Sequence, residues 1–212
     1  MRHLALLCAL ALLMSGCTPP QTQTTPQPAA AEAAPQAGEP GGTTFYGVPT
    51  PGRSIAFVID RSGSMTDVMM YAKYELNRSI SQLRPADHFY VVFFSAHAVQ
   101  PLPAGKLVPA SDENKQAAAK FIDGIVPMGK NDPAGGFRLA FAQKPDVIYL
   151  LTDGELDQSV IKLVKDLNAD SRTKVNTVCL SFGIHDGGEV LKQIAEQNGG
   201  VYKNADLETL GE

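Results

Sequence analysis

Residues Ile55-Ala56-Phe57-Val58-Ile59-Asp60-Arg61-Ser62-Gly63-Ser64-Met65, IAFVIDRSGSM, run five apolar side chains straight into an aspartate and then two serines at a spacing of two. A near-continuous apolar run this short reads as a strand buried on both faces. Such a strand needs helices above and below it, which already argues for an α/β sheet. The polar tail asks why a core strand should deliver three oxygen-bearing side chains to its end.

The rest of the chain answers in the same alternating pattern. Strand-like runs fall at Ser54 to Ile59, Phe89 to Ser95, Val147 to Thr152 and Val175 to Phe182, with a weaker one around Val201-Tyr202. Between them, Met69, Ala72, Leu76, Ile80 and Leu83 follow helical spacing, as do Val160, Leu163, Val164 and Leu167, and then Val190, Leu191, Ile194 and Ala195 before a stop at Asn198-Gly199-Gly200. Ser111 followed by Asp112 and Glu113 reads as the start of a helix. Strand then helix, repeated, predicts a doubly wound α/β domain with a mostly parallel central sheet flanked by helices.

In such sheets ligands bind beyond the carboxyl ends of the strands, where strand order reverses. FVID delivers Asp60 to that rim and IYLLTD delivers Asp153. Met128-Gly129-Lys130-Asn131-Asp132-Pro133, ahead of the helical pattern GGFRLAFA, is a third polar loop within reach. Asp60, Ser62 and Ser64 alternate, so their oxygens can converge on one point, with Gly63 allowing a turn. One carboxylate, two hydroxyls and remaining positions for water suit a hard divalent cation such as Mg²⁺. Asp153 adds a second negative charge, directly or through water. With neither His nor Cys in these loops, softer metals are poorly served.

DRSGSM and LLTDGE together resemble the von Willebrand factor type A (VWA) domain and its metal-ion-dependent adhesion site, whose first motif is Asp-x-Ser-x-Ser. The resemblance covers about Ser54 to Glu208 and implies a Rossmann-like fold over 45–212. It also implies metal-binding roles for Asp60, Ser62 and Ser64, with Asp153 supplying a further carboxylate and Mg²⁺ or Mn²⁺ as the ion. The family's middle motif, a glycine pair followed by threonine, aligns with Gly129-Lys130-Asn131. Asn131 then stands where threonine is usual, with its oxygen one bond further from the backbone, which implies a weaker hold on the ion. Asp132 is an alternative ligand there; its competing role is helix N-cap, with Pro133 in the first helical position.

Composition narrows the functions that remain. The 212 residues carry 18 Lys and Arg against 22 Asp and Glu, a net charge of −4, and no basic cluster is present. Nucleic acid is thereby excluded as an expected partner, because phosphate contacts need concentrated positive charge. P-loop, GxSxG, HExxH and CxxC motifs are all missing, and His88, His97 and His185 are dispersed. An enzyme reading survives only as a Mg²⁺-dependent phosphatase or phosphotransferase with Asp60 as nucleophile. Against it, the serines around Asp60 suit chelation better. A metal-free structural protein of the envelope is the third reading.

The N-terminus bears on location. MRHLALLCALALLMSG, residues 1–16, pairs Arg2 with an apolar run too short to span a bilayer, the pattern of a secretory signal. Met14-Ser15-Gly16-Cys17 resembles the bacterial lipoprotein processing site, which implies that Cys17 becomes a lipidated mature N-terminus. The resemblance implies a lipid-anchored envelope protein, with Thr18 pointing to the outer membrane. Residues 17–44, rich in Pro, Gln, Thr and Ala, cannot bury enough apolar surface to offset ordering entropy and read as a disordered tether. Cys179, within VNTVCLSF, reads as a small core residue. The expected activity is therefore a tethered binding module whose cation is completed by an acidic side chain of a protein ligand.

Overall fold

The computed structural model describes residues 43–50, 52–96, 98–154, 156–183 and 188–208. The signal, Cys17 and nearly all of the tether lie outside these residues, as do His97 and His185. Five parallel strands form the centre of the sheet: β3 (Ser54–Asp60), β4 (His88–Ser95), β7 (Val147–Thr152), β8 (Lys174–Ser181) and β9 (Tyr202–Asp206). Their order is β4-β3-β7-β8-β9. Two short strands, β5 (Ala98–Pro101) and β6 (Val108–Pro109), pair antiparallel with β4 and close that side. Each holds a proline, which blunts an edge that would otherwise template further pairing.

Alternation along the buried strands splits the core into two layers. Ile55, Phe57 and Ile59 of β3, with Phe89, Val91 and Phe93 of β4 and Tyr149 of β7, face α1 (Met69–Ser81) and α2 (Asp112–Asp123). Ala56 and Val58, with Tyr90, Val92, Ile148, Leu150 and Cys179, face α3 (Ala134–Ala142), α4 (Ser159–Leu167) and α5 (Glu189–Gln197). Helices thus cover both faces, and the strands read as unbroken apolar runs because both of their faces are buried. Removing one large core side chain of this kind forfeits about 1.5–3 kcal/mol of burial.

A two-stranded hairpin, β1 (Thr44–Phe45) and β2 (Val48–Pro49), seals the end of the first layer. Phe45 sits edge-on to Phe57 and Tyr149, with ring centroids 5.3 Å away in each case. Thr43 and Thr44, which composition places at the end of the tether, are already engaged: Thr43 Oγ1 donates to Ser79 O (2.8 Å) and Thr44 O accepts from Ser79 Oγ (2.6 Å). Ser111 caps α2 as expected, accepting from the Asn114 amide. Among the described residues no helix is long and apolar enough to cross a membrane.

Candidate metal centre

From β3 the chain moves to β4 on one side and later to β7 on the other, so strand order reverses between β3 and β7. Their carboxyl ends lie side by side, Ile59 paired with Leu151, and this is where an open α/β sheet leaves a crevice. Asp60 is the last residue of β3, and Asp153 follows the end of β7. The rim expected from sequence is thereby assembled.

Hydrogen bonds knit its members together. Ser62 N donates to Asp60 Oδ1 (2.7 Å), the Ser62 and Ser64 hydroxyls lie 3.0 Å apart, and Ser64 Oγ donates to Asp153 Oδ1 (2.9 Å). Asp60 Oδ2 accepts from Thr152 Oγ1 (2.6 Å), and the same hydroxyl accepts from Asn131 Nδ2 (3.1 Å) and Gly154 N (3.2 Å). Asp60, Ser62, Ser64, Asn131 and Asp153 therefore form one connected group. Thr152 at its centre is the residue the sequence reading missed. It is fully buried, and its place at the end of IYLLTD, one residue before the acid, was the available signal.

Two local expectations take definite form. The turn expected at Gly63 is a short 3₁₀ turn, Gly63–Thr66, made without a left-handed backbone at Gly63, and the Ser62 and Ser64 hydroxyls lie together at its start. The left-handed residue is Gly129 (φ +81°), where an added Cβ would stand 3.3 Å from Ser95 Oγ. Asp132 stands one residue before Pro133, the N-cap of α3, and its Oδ1 accepts from Ala134 N (2.9 Å), which supports the helix start. The loop's side-chain bond to the rim comes from Asn131, through Nδ2 to Thr152 Oγ1.

The electrostatics favour a cation. Burial pushes the Asp60 carboxyl above its ordinary value, hydrogen bonds from Thr152 and Ser62 oppose the rise, and the nearby Asp153 charge adds to it. Asn131 Oδ1 is buried with no hydrogen-bond partner, an acceptor left over in an otherwise satisfied group. Carboxylate, hydroxyl and amide oxygens are what a hard divalent ion takes. Among the described residues no group of three or more His, Cys, Asp or Glu is placed to hold a metal ion; the rim offers two carboxylates, and its other donors are neutral hydroxyl and amide oxygens. The donor set fits Mg²⁺ or Mn²⁺, with Asp60, Ser62, Ser64, Asn131 and Asp153 as the residues that would hold it.

The remaining chemistry-bearing residues sit elsewhere. Cys179 is buried in the second core layer, and burial followed by the Asp153 charge pushes its thiol up, the setting of a packing residue. His88 is exposed at the start of β4, the end of the strand remote from the rim.

Fold and rim together define a doubly wound α/β domain carrying an oxygen-only cradle at its topological switch point. The family model described as von Willebrand factor type A domain matches residues 53–204, and the chain belongs to that family, whose domains mediate protein–protein interactions. Human inter-alpha-trypsin inhibitor heavy chain H4 is 29% identical over 172 residues, which cover 73% of this chain and 18% of the relative. Human von Willebrand factor A domain-containing protein 3B is 26% identical, covering 70% of this chain and 11% of the relative. The chain thus spans less than a fifth of these relatives' length. Among solved structures, a von Willebrand factor type A protein from Catenulispora acidiphila superposes with a TM-score of 0.63 at 21% identity, over 77% of this chain and 41% of that one. Proximal thread matrix protein 1 from the mussel byssus gives 0.55 at 21%, over 74% and 42%.

Proposed function

We propose that this protein is a cation-dependent protein-binding module held at the cell envelope by a lipid on Cys17. The observation that carries the reading is the convergence of Asp60, Ser62, Ser64, Asn131 and Asp153 on one rim, with the Asn131 amide oxygen buried and unpaired. When bound, a divalent ion supplies a Lewis-acidic point charge that an acidic side chain of a partner protein can complete. The chain's own residues hold that point in place: Thr152 orients Asp60, and Ser64 orients Asp153. In this reading the segment from Cys17 links the lipid to the domain, which begins by Thr43 and Thr44, both bonded to Ser79.

Asp60 as a phosphoryl-accepting nucleophile fits less well. The two serine hydroxyls and the Asp153 carboxylate gathered beside Asp60 give it the company of a chelating group, whereas a carboxylate nucleophile is activated by a neighbouring base or a lowered pKa.

The test is capture from envelope extract by the full chain, with Mg²⁺ or with chelator, using native protein and Asp60→Ala. The expected result is a partner retained by the native protein in Mg²⁺ and lost with chelator or in the variant. Equal capture under all conditions would refute a cation-dependent interaction.

A further inference from the structure

The loop 126–131, which carries Asn131, has little apolar anchoring of its own. Ile125 and Pro133 are buried at its two ends, whereas Val126 and Met128 between them are 65% and 55% exposed. Hydrogen bonds hold it instead. Arg61 N–H is fixed to Phe94 O (2.9 Å), Met128 N donates back to Arg61 O (2.7 Å), Gly63 N donates to Gly129 O (2.9 Å) and Ala96 N donates to Lys130 O (2.6 Å). Two side-chain bonds add to these: Arg61 Nη1 donates to Val126 O (3.0 Å) where the loop begins, and Asn131 Nδ2 donates to Thr152 Oγ1 (3.1 Å) where it ends.

Arg61 is otherwise hard to account for. It is 4% exposed, its Nε has no hydrogen-bond partner, and no carboxylate pairs with it among the described residues. A buried cation without an anion is costly, so its presence between Asp60 and Ser62 asks for a role.

We propose that Arg61 is a positioning residue that clamps the 126–131 loop against the 60–64 segment, thereby setting the site's preference for a small cation over a large one. The proposal rests on the metal reading above. Asn131 has a longer arm than a hydroxyl residue, so where its oxygen falls depends on where the loop is held. Mg²⁺ requires a near-ideal octahedron at about 2.0–2.1 Å, while Ca²⁺ accepts 6–8 oxygens in flexible geometry. Loosening the loop therefore harms Mg²⁺ binding far more than Ca²⁺ binding.

The experiment compares the native chain with Arg61→Met, which keeps an apolar stem, and Arg61→Lys, which keeps one donor for Val126 O. Calorimetric titrations with Mg²⁺ and with Ca²⁺ at one ionic strength are paired with thermal unfolding and hydrogen exchange at the Met128 amide without metal. In Arg61→Met, Mg²⁺ affinity falls about tenfold, the scale of losing a residue that supports a metal ligand, and Ca²⁺ affinity changes less than about twofold. Met128 protection drops while the unfolding midpoint stays level or rises, because an unpaired buried charge has gone. Arg61→Lys recovers most of the Mg²⁺ affinity.

Equal losses for both ions, or no loss for either, would overturn the proposal, as would a Mg²⁺ loss that merely tracks a lowered midpoint. If the native chain binds neither ion, the metal reading fails and the selectivity with it. The clamp is then decided by exchange alone, and unchanged Met128 protection in Arg61→Met refutes it.

Discussion

Thr152→Val removes one hydroxyl while keeping the side chain's shape, and the structure says where the damage goes. Thr152 Oγ1 donates to Asp60 Oδ2 and accepts from Asn131 Nδ2 and Gly154 N. Valine leaves three polar groups without that partner around a fully buried position. An orphaned buried group costs about 1–3 kcal/mol. Asn131 and Gly154 are only partly buried, so water can replace part of the loss and the expected destabilisation is about 2 kcal/mol. Asp60 also loses the hydrogen bond that fixes its carboxylate, and Mg²⁺ affinity should fall about tenfold. Urea unfolding with and without saturating Mg²⁺ reads both effects. A tenfold weaker site lowers the Mg²⁺-dependent gain in stability by about 1.4 kcal/mol at a fixed excess of ion. Thr152→Ser, which keeps the hydroxyl, should restore most of the stability and affinity. A valine variant within about 0.5 kcal/mol of native, with unchanged Mg²⁺ affinity, would refute the role of Thr152 as the hub of the rim.

Two further outcomes lie away from the rim. Asp87 has a fully buried side chain between Arg53 Nε (3.3 Å) and Arg84 Nε (3.2 Å); burial alone would raise its carboxyl, but hydrogen bonds and charge from Arg84, then Arg53, hold it below its ordinary value. A depressed carboxyl stabilises the fold above its unfolded pKa and loses that contribution as pH falls through the folded one. Asp87→Asn should therefore cost about 2 kcal/mol at pH 7, less than a fully buried pair because both arginines reach water. Unfolding midpoints should converge as pH drops below about 4, and a pH-independent gap would contradict the ion-pair account. Cys17→Ser should shift the protein from membranes to the soluble envelope fraction, since acyl chains contribute about 0.8 kcal/mol per buried methylene. A variant still sedimenting with membranes after a carbonate wash would refute lipid anchoring there.

The central strands and helices were legible because burial on both faces writes itself as continuous apolar runs, and because α1, α4 and α5 each carry a clear stripe. Asp60 and Asp153 were legible for the same reason, standing where those runs end. The β1–β2 hairpin was not: Thr44–Pro49 is too short for a period, and it forms because Phe45 finds Phe57 and Tyr149, residues distant in sequence. The edge strands β5 and β6 were missed likewise, since only pairing with β4 defines them. Thr152 looked like the last residue of a strand, and its hydroxyl acquires meaning only when β7 lies beside β3. Arg61 looked like a variable position within a motif; its burial follows from loop 126–131 folding over it.

The most direct measurement is a calorimetric titration of Mg²⁺ into the native chain beside Asp60→Ala, at neutral pH and fixed ionic strength. The account predicts one saturable site in the native protein and none in the variant. It also predicts an unfolding midpoint close to native for metal-free Asp60→Ala, because relief of a carboxylate disfavoured by burial and, secondarily, by the Asp153 charge offsets the lost hydrogen bonds from Thr152 Oγ1 and Ser62 N. Native and variant proteins taking up Mg²⁺ equally, or neither taking it up at all, would contradict it.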